Sequence, residues 1–322
     1  MRRVLVLGGT GWLGREVARA AVSGGSEVVC LARGDSGAVA PGARLVRADR
    51  TRPGAYAEVA DGRRWDEVIE LAYQPELVTS ALTALGEHAS HWTLVSSISV
   101  YARTDRPGAD ETAELVTPRD LAEYADAKVA AELVSSERLD GRLLIARPGL
   151  IVGPGDPSDR FGYWPARFRR GGRLLAPETA GRHVQVVDVA DLAEWLERAG
   201  RERLVGVVDA VGAAHPMEDI FAAVRATTGF AGDVVTADDR TLRANDVRYW
   251  AGPRSLPLWL PISDAGFARR DGSAFLRTGG RPRPVVETIA RSLEDELRRG
   301  VDRQRRAGLT AAEETEILRA LR

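Results

Sequence analysis

Three glycines near the start of the chain, Gly8, Gly11 and Gly14, stand where a short apolar run gives way to helical spacing. Arg3-Val4-Leu5-Val6-Leu7 is β-branched and apolar, as a buried strand is. From Trp12 onward Leu13, Val17, Ala20 and Ala21 recur on one side of a helix until Gly24-Gly25 stops it. A G-x-x-G-x-x-G loop between strand and helix suits a dinucleotide. Glycine permits the tight turn and lets backbone N–H groups approach a pyrophosphate, and the helix N-terminus adds partial positive charge. A plain tight turn is the alternative, and the placement between strand and helix favours the dinucleotide.

The first half of the chain keeps up this alternation. Glu27 to Ala32, Arg44 to Ala48, Val68 to Ala72, Trp92 to Ser96 and Leu143 to Ala146 read as strands, the last following a helix through Leu121 to Leu139. Strands alternating with crossovers predict an α/β protein with a Rossmann-type doubly wound parallel sheet, covered on both faces. After Pro148 the texture changes. Gly153 to Pro177 is rich in Gly, Pro, Arg and aromatic residues and reads as a loop-dominated insertion. His183 to Val189 and Leu204 to Val211 read as strands, and Asp191 to Ala199 and Glu218 to Thr228 as helices. Leu256 to Pro261 carries two prolines and reads as a packed extended segment. Val285 to Arg322 reads as a helical tail with solvated charged faces. The expected division is an NAD(P)-binding core over residues 1–152 and a smaller, mostly substrate-binding region over 153–322, with 183–211 returning to the core.

The tip of the second strand bears on which dinucleotide binds. An acid there would take the ribose 2′-hydroxyl of NAD, but Val28-Val29-Cys30-Leu31 runs into Ala32-Arg33. A planar guanidinium suits a 2′-phosphate, so NADP is expected, with NAD as the alternative because Asp35 lies close by.

Composition enters through one residue. Of the 45 Lys and Arg residues, Lys128 is the only lysine. Arginine replaces lysine in most surface roles, but not where a compact ammonium is needed. Tyr124 lies four residues earlier, on the same helix face. A phenol, ordinarily with a pKa of about 10, becomes a useful acid–base group near neutrality when a cation favours its ionised form. A surface pair at helical spacing is the alternative, and the uniqueness of Lys128 argues against it. Upstream, Ser96-Ser97-Ile98-Ser99-Val100-Tyr101 ends a parallel strand, where such sheets bind ligands and a hydroxyl can hold a substrate oxygen. Serine-rich strand ends are also ordinary turns.

Together, Gly8-Gly9-Thr10-Gly11-Trp12-Leu13-Gly14, the Ser97 segment, Tyr124-x-x-x-Lys128 and Arg147-Pro148-Gly149-Leu150-Ile151-Val152-Gly153-Pro154 resemble the extended short-chain dehydrogenase/reductase family, also called the NAD-dependent epimerase/dehydratase family. His183 to Asp191 resembles that family's segment after the substrate loop, so the likeness covers nearly the whole chain. The resemblance implies Ser97 as catalytic serine and Tyr124 as general acid/base. It implies that Lys128 holds the nicotinamide ribose hydroxyls and lowers the Tyr124 pKa. It further implies Gly8, Gly11, Trp12, Leu13 and Gly14 at the cofactor, Asp49 at the adenine, and Leu71, Ala72, Pro148, Gly149 and Leu150 along it. The implied reaction moves hydride between nicotinamide C4 and a carbonyl or carbinol carbon, with Tyr124 moving the proton and Ser97 steadying the oxygen.

The departures from the family pattern narrow this. Ile98-Ser99 stand where sugar-nucleotide dehydratases carry Asp-Glu, which argues against a 4,6-dehydratase. Ala32 replaces the acid usual in NAD-retaining epimerases, which favours exchangeable NADPH and net reduction. Tyr73 stands where the family often has a small residue; it either narrows the pocket or packs in the core. The expected activity is an NADP-dependent oxidoreductase on a small carbonyl or alcohol. A sugar-nucleotide epimerase with tightly bound NAD and a non-catalytic dinucleotide-binding protein are the alternatives.

Other features set limits. A net charge of −1 gives no reason to expect nucleic acid or an anionic membrane as partner, and no apolar run nears the about 18 residues of a membrane span, so the expected partner is a small-molecule substrate. The single cysteine, Cys30, rules out a disulfide framework within the chain and a cysteine-based zinc site. His88, His91, His183 and His215 lack ligand spacing, so no metal is expected. Phe161, Tyr163 and Trp164 either contact substrate or pack the loop, and Arg167, Arg169, Arg170 and Arg173 either bind an anionic substrate or form a solvated basic loop. Met1-Arg2-Arg3 leads at once into the first strand, so no signal peptide and a cytoplasmic location are expected. Members of the family often dimerise through the helix that carries Tyr124, so a homodimer is an assembly the resemblance allows.

Overall fold

The computed structural model describes residues 1–321. Its centre is a seven-stranded parallel sheet built from β1 (Arg3–Leu7), β2 (Glu27–Ala32), β3 (Arg44–Arg47), β4 (Glu67–Glu70), β5 (Trp92–Val95), β6 (Leu143–Pro148) and, after an excursion, β10 (Gly206–Ala210). The order is β10-β6-β5-β4-β1-β2-β3. Val4, Leu5, Val6 and Leu7 are wholly buried, as expected where helices cover both faces of a parallel sheet. On one face lie α1 (Trp12–Ser23) and α6 (Val189–Arg201), packed through Val17, Ala21, Trp195 and Leu196. On the other lie α2 (Ala57–Ala60), α3 (Pro75–Leu85) and α4 (Tyr124–Arg138), packed through Val59, Val78, Leu82 and Ala131. The chain winds outward in opposite directions from β1 and β4, and the crevice at their carboxyl ends is where such sheets bind ligands.

The remaining elements form a second body. β7 (Leu150–Val152) and β9 (His183–Asp188) pair in parallel, and β11 (Ala214–Pro216) adds antiparallel to β9. β8 (Leu174–Pro177) pairs with β12 (Val234–Ala237), and β13 (Arg248–Trp250) with β14 (Ser255–Pro257). Around them lie α5 (Arg160–Arg170), α7 (Met217–Thr228), α8 (Asp239–Ala244), α10 (Val285–Arg299) and α11 (Ala311–Ala320), while α9 (Ser273–Arg277) returns to the central sheet and packs Phe275 against Trp195. Trp164, Phe168, Phe221, Leu256, Trp259 and Ile317 lie in the core of this body.

Several element ends differ from the sequence reading, each for a local reason. The segment expected to be loop-dominated holds α5 and β8. Pro165 forfeits a helix hydrogen bond, but the aromatic face of α5 packs Trp164 against Phe221 and Phe168 against Phe230, which outweighs the loss. The helix expected from Leu121 starts at Tyr124, because Asp126 accepts the N–H groups of Arg119 at 2.7 Å and Asp120 at 2.9 Å and fixes a turn before it. The strand expected to reach Ala72 ends at Glu70, whose carboxylate takes the Ala72 N–H at 2.8 Å and bends the chain. The expected helical tail is two helices, and a Thr310–Glu313 capping box starts the second. Its charges are not simply solvated: Asp295, Glu296 and Glu314 are buried in ion pairs. Arg322 lies outside the described residues.

Candidate active site

The glycine loop is shaped by contacts that admit no side chain. Gly8 has φ +102°, a conformation L side chains rarely adopt. A Cβ on Gly14 would stand 2.4 Å from the Gly8 carbonyl oxygen, and one on Gly9 would stand 2.3 Å from Cys30 Sγ. Gly11 is different: the nearest protein atom to a Cβ there is 3.5 Å away, so its bareness serves no internal contact. Among the described residues no side chain caps the N-terminus of α1, and its first turn has no acid. Free N–H donors beside a bare Gly11 fit a dinucleotide pyrophosphate. Trp12 Nε1 donates to the Pro154 carbonyl at 2.8 Å and ties this loop to the segment after β7.

At the tip of β2, Arg33 is two-thirds exposed and pairs with the equally exposed Asp35 at 3.1 Å. Arg47 donates to the Arg33 carbonyl at 3.2 Å, and Arg15 of α1 reaches the same loop, 3.7 Å from where a Cβ on Gly37 would stand. The sequence reading named Arg33 alone. Asp49 lies beyond β3, where the Thr51 N–H and hydroxyl, at 3.0 and 2.7 Å, hold its carboxyl below the usual carboxylate range. Leu71 packs against Gly8, and the buried Glu70, paired with Arg50 at 2.9 Å, holds Ala72 in place. Glu70 and Arg50 escaped the sequence reading because nothing in their spacing marks them.

A cleft of about 360 Å³ runs from this loop across the carboxyl ends of the sheet. Trp12, Leu13, Leu71, Ser97, Tyr124, Lys128, Pro148, Gly149 and Leu150 all line it. The chain therefore brings together the hydroxyl, phenol and ammonium that the sequence singled out, and it sets them beside the glycine loop. Ser97 follows β5 and is fixed by the tight turn Ile98–Val100, with its oxygen accepting the Ser99 N–H at 3.1 Å. Tyr124 opens α4 and Lys128 follows one turn later.

Lys128 is buried, and its Nζ donates to the Val95 carbonyl at 2.6 Å. Burial brings its ammonium down to about 8, against the attraction of Glu70 and Glu132. Tyr124 is half-exposed, but the cleft walls crowd its hydroxyl, and that desolvation raises the phenol above its ordinary value. The nearby Ser97 hydroxyl and the charge of Arg160 oppose the rise, while Tyr73 adds to it. Lys128 Nζ sits 5.8 Å from the ring centres of both Tyr124 and Tyr73. Arg160 is thus a second cation beside this phenol, one that the resemblance did not imply.

The fold and the site now stand beside known proteins. A model of the NAD-dependent epimerase/dehydratase family matches residues 4–93. The chain is 27% identical over 299 residues to 2'-dehydrokanamycin reductase of Streptomyces kanamyceticus, covering 88% of this chain and 83% of that protein. It is 29% identical over 238 residues to dTDP-6-deoxy-L-talose 4-dehydrogenase (NAD(P)(+)) of Kitasatospora kifunensis, covering 65% of this chain and 73% of that protein. The fold matches that of UDP-glucose 4-epimerase from Thermus thermophilus, solved with NAD, at a TM-score of 0.67 and 21% identity over 91% of this chain and 98% of that one. Over residues 4–93 the chain is similar to the NAD-dependent epimerase/dehydratase family, and both curated relatives extend a likeness well beyond that stretch. With a reductase and a dehydrogenase among its relatives, the chain is an NAD(P)-dependent enzyme of the oxidoreductase type.

The end of the cleft away from the glycine loop holds residues the sequence reading did not find. Asp156, Ser158, Arg160, Trp250 and Phe267 line it together with Tyr73 and Ile98. They come from segments far apart in the chain, and no local spacing announces their meeting. Tyr73 meets Tyr124 edge-on at 5.2 Å, so of its two expected roles it takes the pocket wall. The aromatic residues flagged near it in sequence do the opposite. Phe161, Tyr163 and Trp164 are buried in the second core and do not line the cleft. Arg167 is buried too, bound by Glu314 at 2.6 Å and by the Gly171 carbonyl at 2.8 Å, while Arg170 reaches Glu314 at 3.2 Å. Arg167 and Arg170 lock α5 to α11, which neither a solvated loop nor an anion site would do, while Arg169 and Arg173 are exposed, as a solvated loop would have them. No helix among the described residues is long and apolar enough to cross a membrane.

Proposed function

We propose that this chain is an NADP-dependent oxidoreductase that moves hydride between the nicotinamide and a carbonyl or alcohol carbon of a small substrate through Ser97, Tyr124 and Lys128. The observation that carries the reading is one cleft lined by the Ser97 hydroxyl, the Tyr124 phenol and, one helical turn on, the Lys128 ammonium, beside a glycine loop that fits a pyrophosphate. The reductase and the deoxytalose 4-dehydrogenase among the relatives favour a carbohydrate-like ring carbon as the reacting centre. Three guanidiniums, from Arg15, Arg33 and Arg47, gather around the loop after β2 and favour a 2′-phosphate.

When bound, the dinucleotide supplies or accepts the hydride at its nicotinamide ring. The chain's own residues manage the oxygen. Ser97, already fixed by the turn it caps, donates to the substrate oxygen and holds it toward Tyr124. Tyr124 gives its hydroxyl proton to that oxygen in reduction and takes it back in oxidation. Lys128 presents a buried ammonium beside the ring, in position to hold the ribose hydroxyls.

Calorimetric titration with NADPH and with NADH, after the ultraviolet spectrum has been checked for retained nucleotide, tests the cofactor. The reading expects empty protein that prefers NADPH. Retained NAD would move the activity to an epimerase, and binding of neither would remove the enzyme reading altogether. In a screen of carbonyl sugars, Tyr124→Phe should lower turnover by about 10²–10⁴ while leaving NADPH affinity unchanged. An unchanged rate would take Tyr124 out of the mechanism.

A further inference from the structure

One cation in the cleft is not spent on the fold. Arg160, at the start of α5, has its Nε donating to Ser158 Oγ at 3.2 Å and its guanidinium 5.0 Å from the centre of the Trp250 ring. Among the described residues no carboxylate comes within 4.0 Å of it, and neither of its terminal nitrogens makes a hydrogen bond. Other arginines of the second body are tied up: Arg167 with Glu314, Arg283 with Asp191, Arg303 with Glu296. The platform under Arg160 is held at a cost. Trp250 has φ +67°, a strained conformation for a bulky residue, fixed by its N–H to the Trp259 carbonyl at 3.0 Å and by Phe267 edge-on at 5.5 Å.

We propose that Arg160 is a positioning residue for the acid/base tyrosine: stacked on Trp250, it turns a free guanidinium into the cleft that Tyr124 lines and stabilises the oxygen of that phenol when the proton leaves. This rests on the reading of Tyr124 as the group that moves the proton. Every charged or titratable group around the phenol fits the assignment. On its own helix, Lys128 sits beside the ring and spends a hydrogen bond on the Val95 carbonyl. From the end of β5 come Ser97 and Ser99, and from the turn after β4 comes Tyr73, another phenol and no source of positive charge. From the loop before α5 comes Asp156, which faces Arg160 and is itself occupied by the Ser158 N–H and hydroxyl at 2.7 and 2.9 Å. Arg160 is the cation left to act across the gap, and its charge does oppose the desolvation of Tyr124. Substrate would thus react between the tyrosine and a cation delivered by the second body, so that the cofactor domain alone holds an untuned acid.

The test needs no substrate. In full-length protein labelled at tyrosine Cζ with carbon-13, the chain's 6 tyrosines give a small set of resonances, and the one missing in Tyr124→Phe is Tyr124. Its titration midpoint should rise by about 1 pH unit in Arg160→Gln, a roughly tenfold smaller phenolate fraction below the midpoint. Arg160→Lys should restore much of the difference. Asp156→Asn should move the midpoint the other way, since it removes the acid that counters Arg160. A midpoint unmoved in both Arg160→Gln and Asp156→Asn overturns the inference, and leaves the proposed function intact as long as NADPH still binds. Loss of NADPH binding by the unmodified protein would instead undo the reading on which the inference rests.

Discussion

The two ends of the cleft are built by opposite means. At the cofactor end, backbone shape suffices: a positive φ at Gly8, a Gly14 that must clear the Gly8 oxygen, and an uncapped helix within one short stretch of chain. At the substrate end, side chains converge from Tyr73 to Phe267, and buried charge holds their carriers in place. Arg147 meets Glu132 at 2.6 Å, Arg270 meets Asp209 at 2.6 Å, and Arg167 meets Glu314 at 2.6 Å, all buried. A local geometric rule fixes the first end, and it tolerates no change of residue at a few positions. Long-range electrostatics fix the second, which can change its lining residues freely so long as the ion pairs beneath survive.

The sharpest way to break that contrast is to remove one pair. Glu314→Ala leaves the buried Arg167 without a carboxylate and the Leu175 N–H, now 2.9 Å from Glu314, without its acceptor. An uncompensated buried charge of this kind costs about 3–5 kcal/mol. Urea denaturation should show that loss, and hydrogen exchange should place it in α5 and α11 with β1 and α1 still protected. A loss below about 1 kcal/mol would mean the pairs are ornaments of a core that stands without them. Gly14→Ala is the matching change at the other end. Its Cβ meets backbone, which cannot step aside, so about 1–3 kcal/mol of stability should go, and NADPH binding with it.

The same contrast decides how much was legible in the sequence. The parallel sheet and the loop at its centre could be read because periodicity and glycine spacing are local signals, and because Tyr124 and Lys128 sit one turn apart on one helix. Arg160 and Trp250 could not be read, since their meeting depends on how β13 packs against the start of α5, roughly ninety residues apart. The aromatic residues next to Arg160 misled in a regular way. Phe161, Tyr163 and Trp164 neighbour a pocket residue in sequence, but a helix turns them inward, and only knowing that α5 is helical separates them from Arg160. The tail misled for an electrostatic reason: acids at Glu296 and Glu314 look solvated until their arginine partners, placed elsewhere in the fold, are known.

Lys128 joins the two ends, and its pH behaviour sharpens the comparison. Its ammonium titrates near 8 in the fold against an ordinary value of 10.5, because burial disfavours the charge. Below about 8 both folded and unfolded chains hold the proton, and the whole cost of burying it is present. From there to 10.5 the unfolded chain binds more protons, so this group's contribution to stability improves as pH rises. Linkage puts the cost at roughly 3 kcal/mol at neutral pH, offset by about 1 kcal/mol for the bond to Val95. Lys128→Met should therefore stabilise the protein at pH 7 by about 1–2 kcal/mol, with the advantage fading toward alkaline pH, and should abolish turnover. Denaturation midpoints across that range test it, and a less stable variant at pH 7 would show that the lysine serves the fold and not the reaction.

The smallest expected effect lies at the tip of β2, where both partners of the Arg33–Asp35 pair face water. Such a pair contributes little to folding, so Arg33→Gln should leave the melting temperature where it is. Its effect should appear only with ligand: NADPH affinity should fall by about tenfold, or ~1.4 kcal/mol, while NADH affinity stays put. Added salt should erode the NADPH preference of the unaltered protein in the same direction, because an exposed guanidinium is screened. Equal losses for both dinucleotides would mean that Arg33 holds the adenine ribose without reading the phosphate. Discrimination would then fall to Arg15 and Arg47, and the rule that this end is fixed by backbone alone would extend to its choice of cofactor only if neither of those mattered.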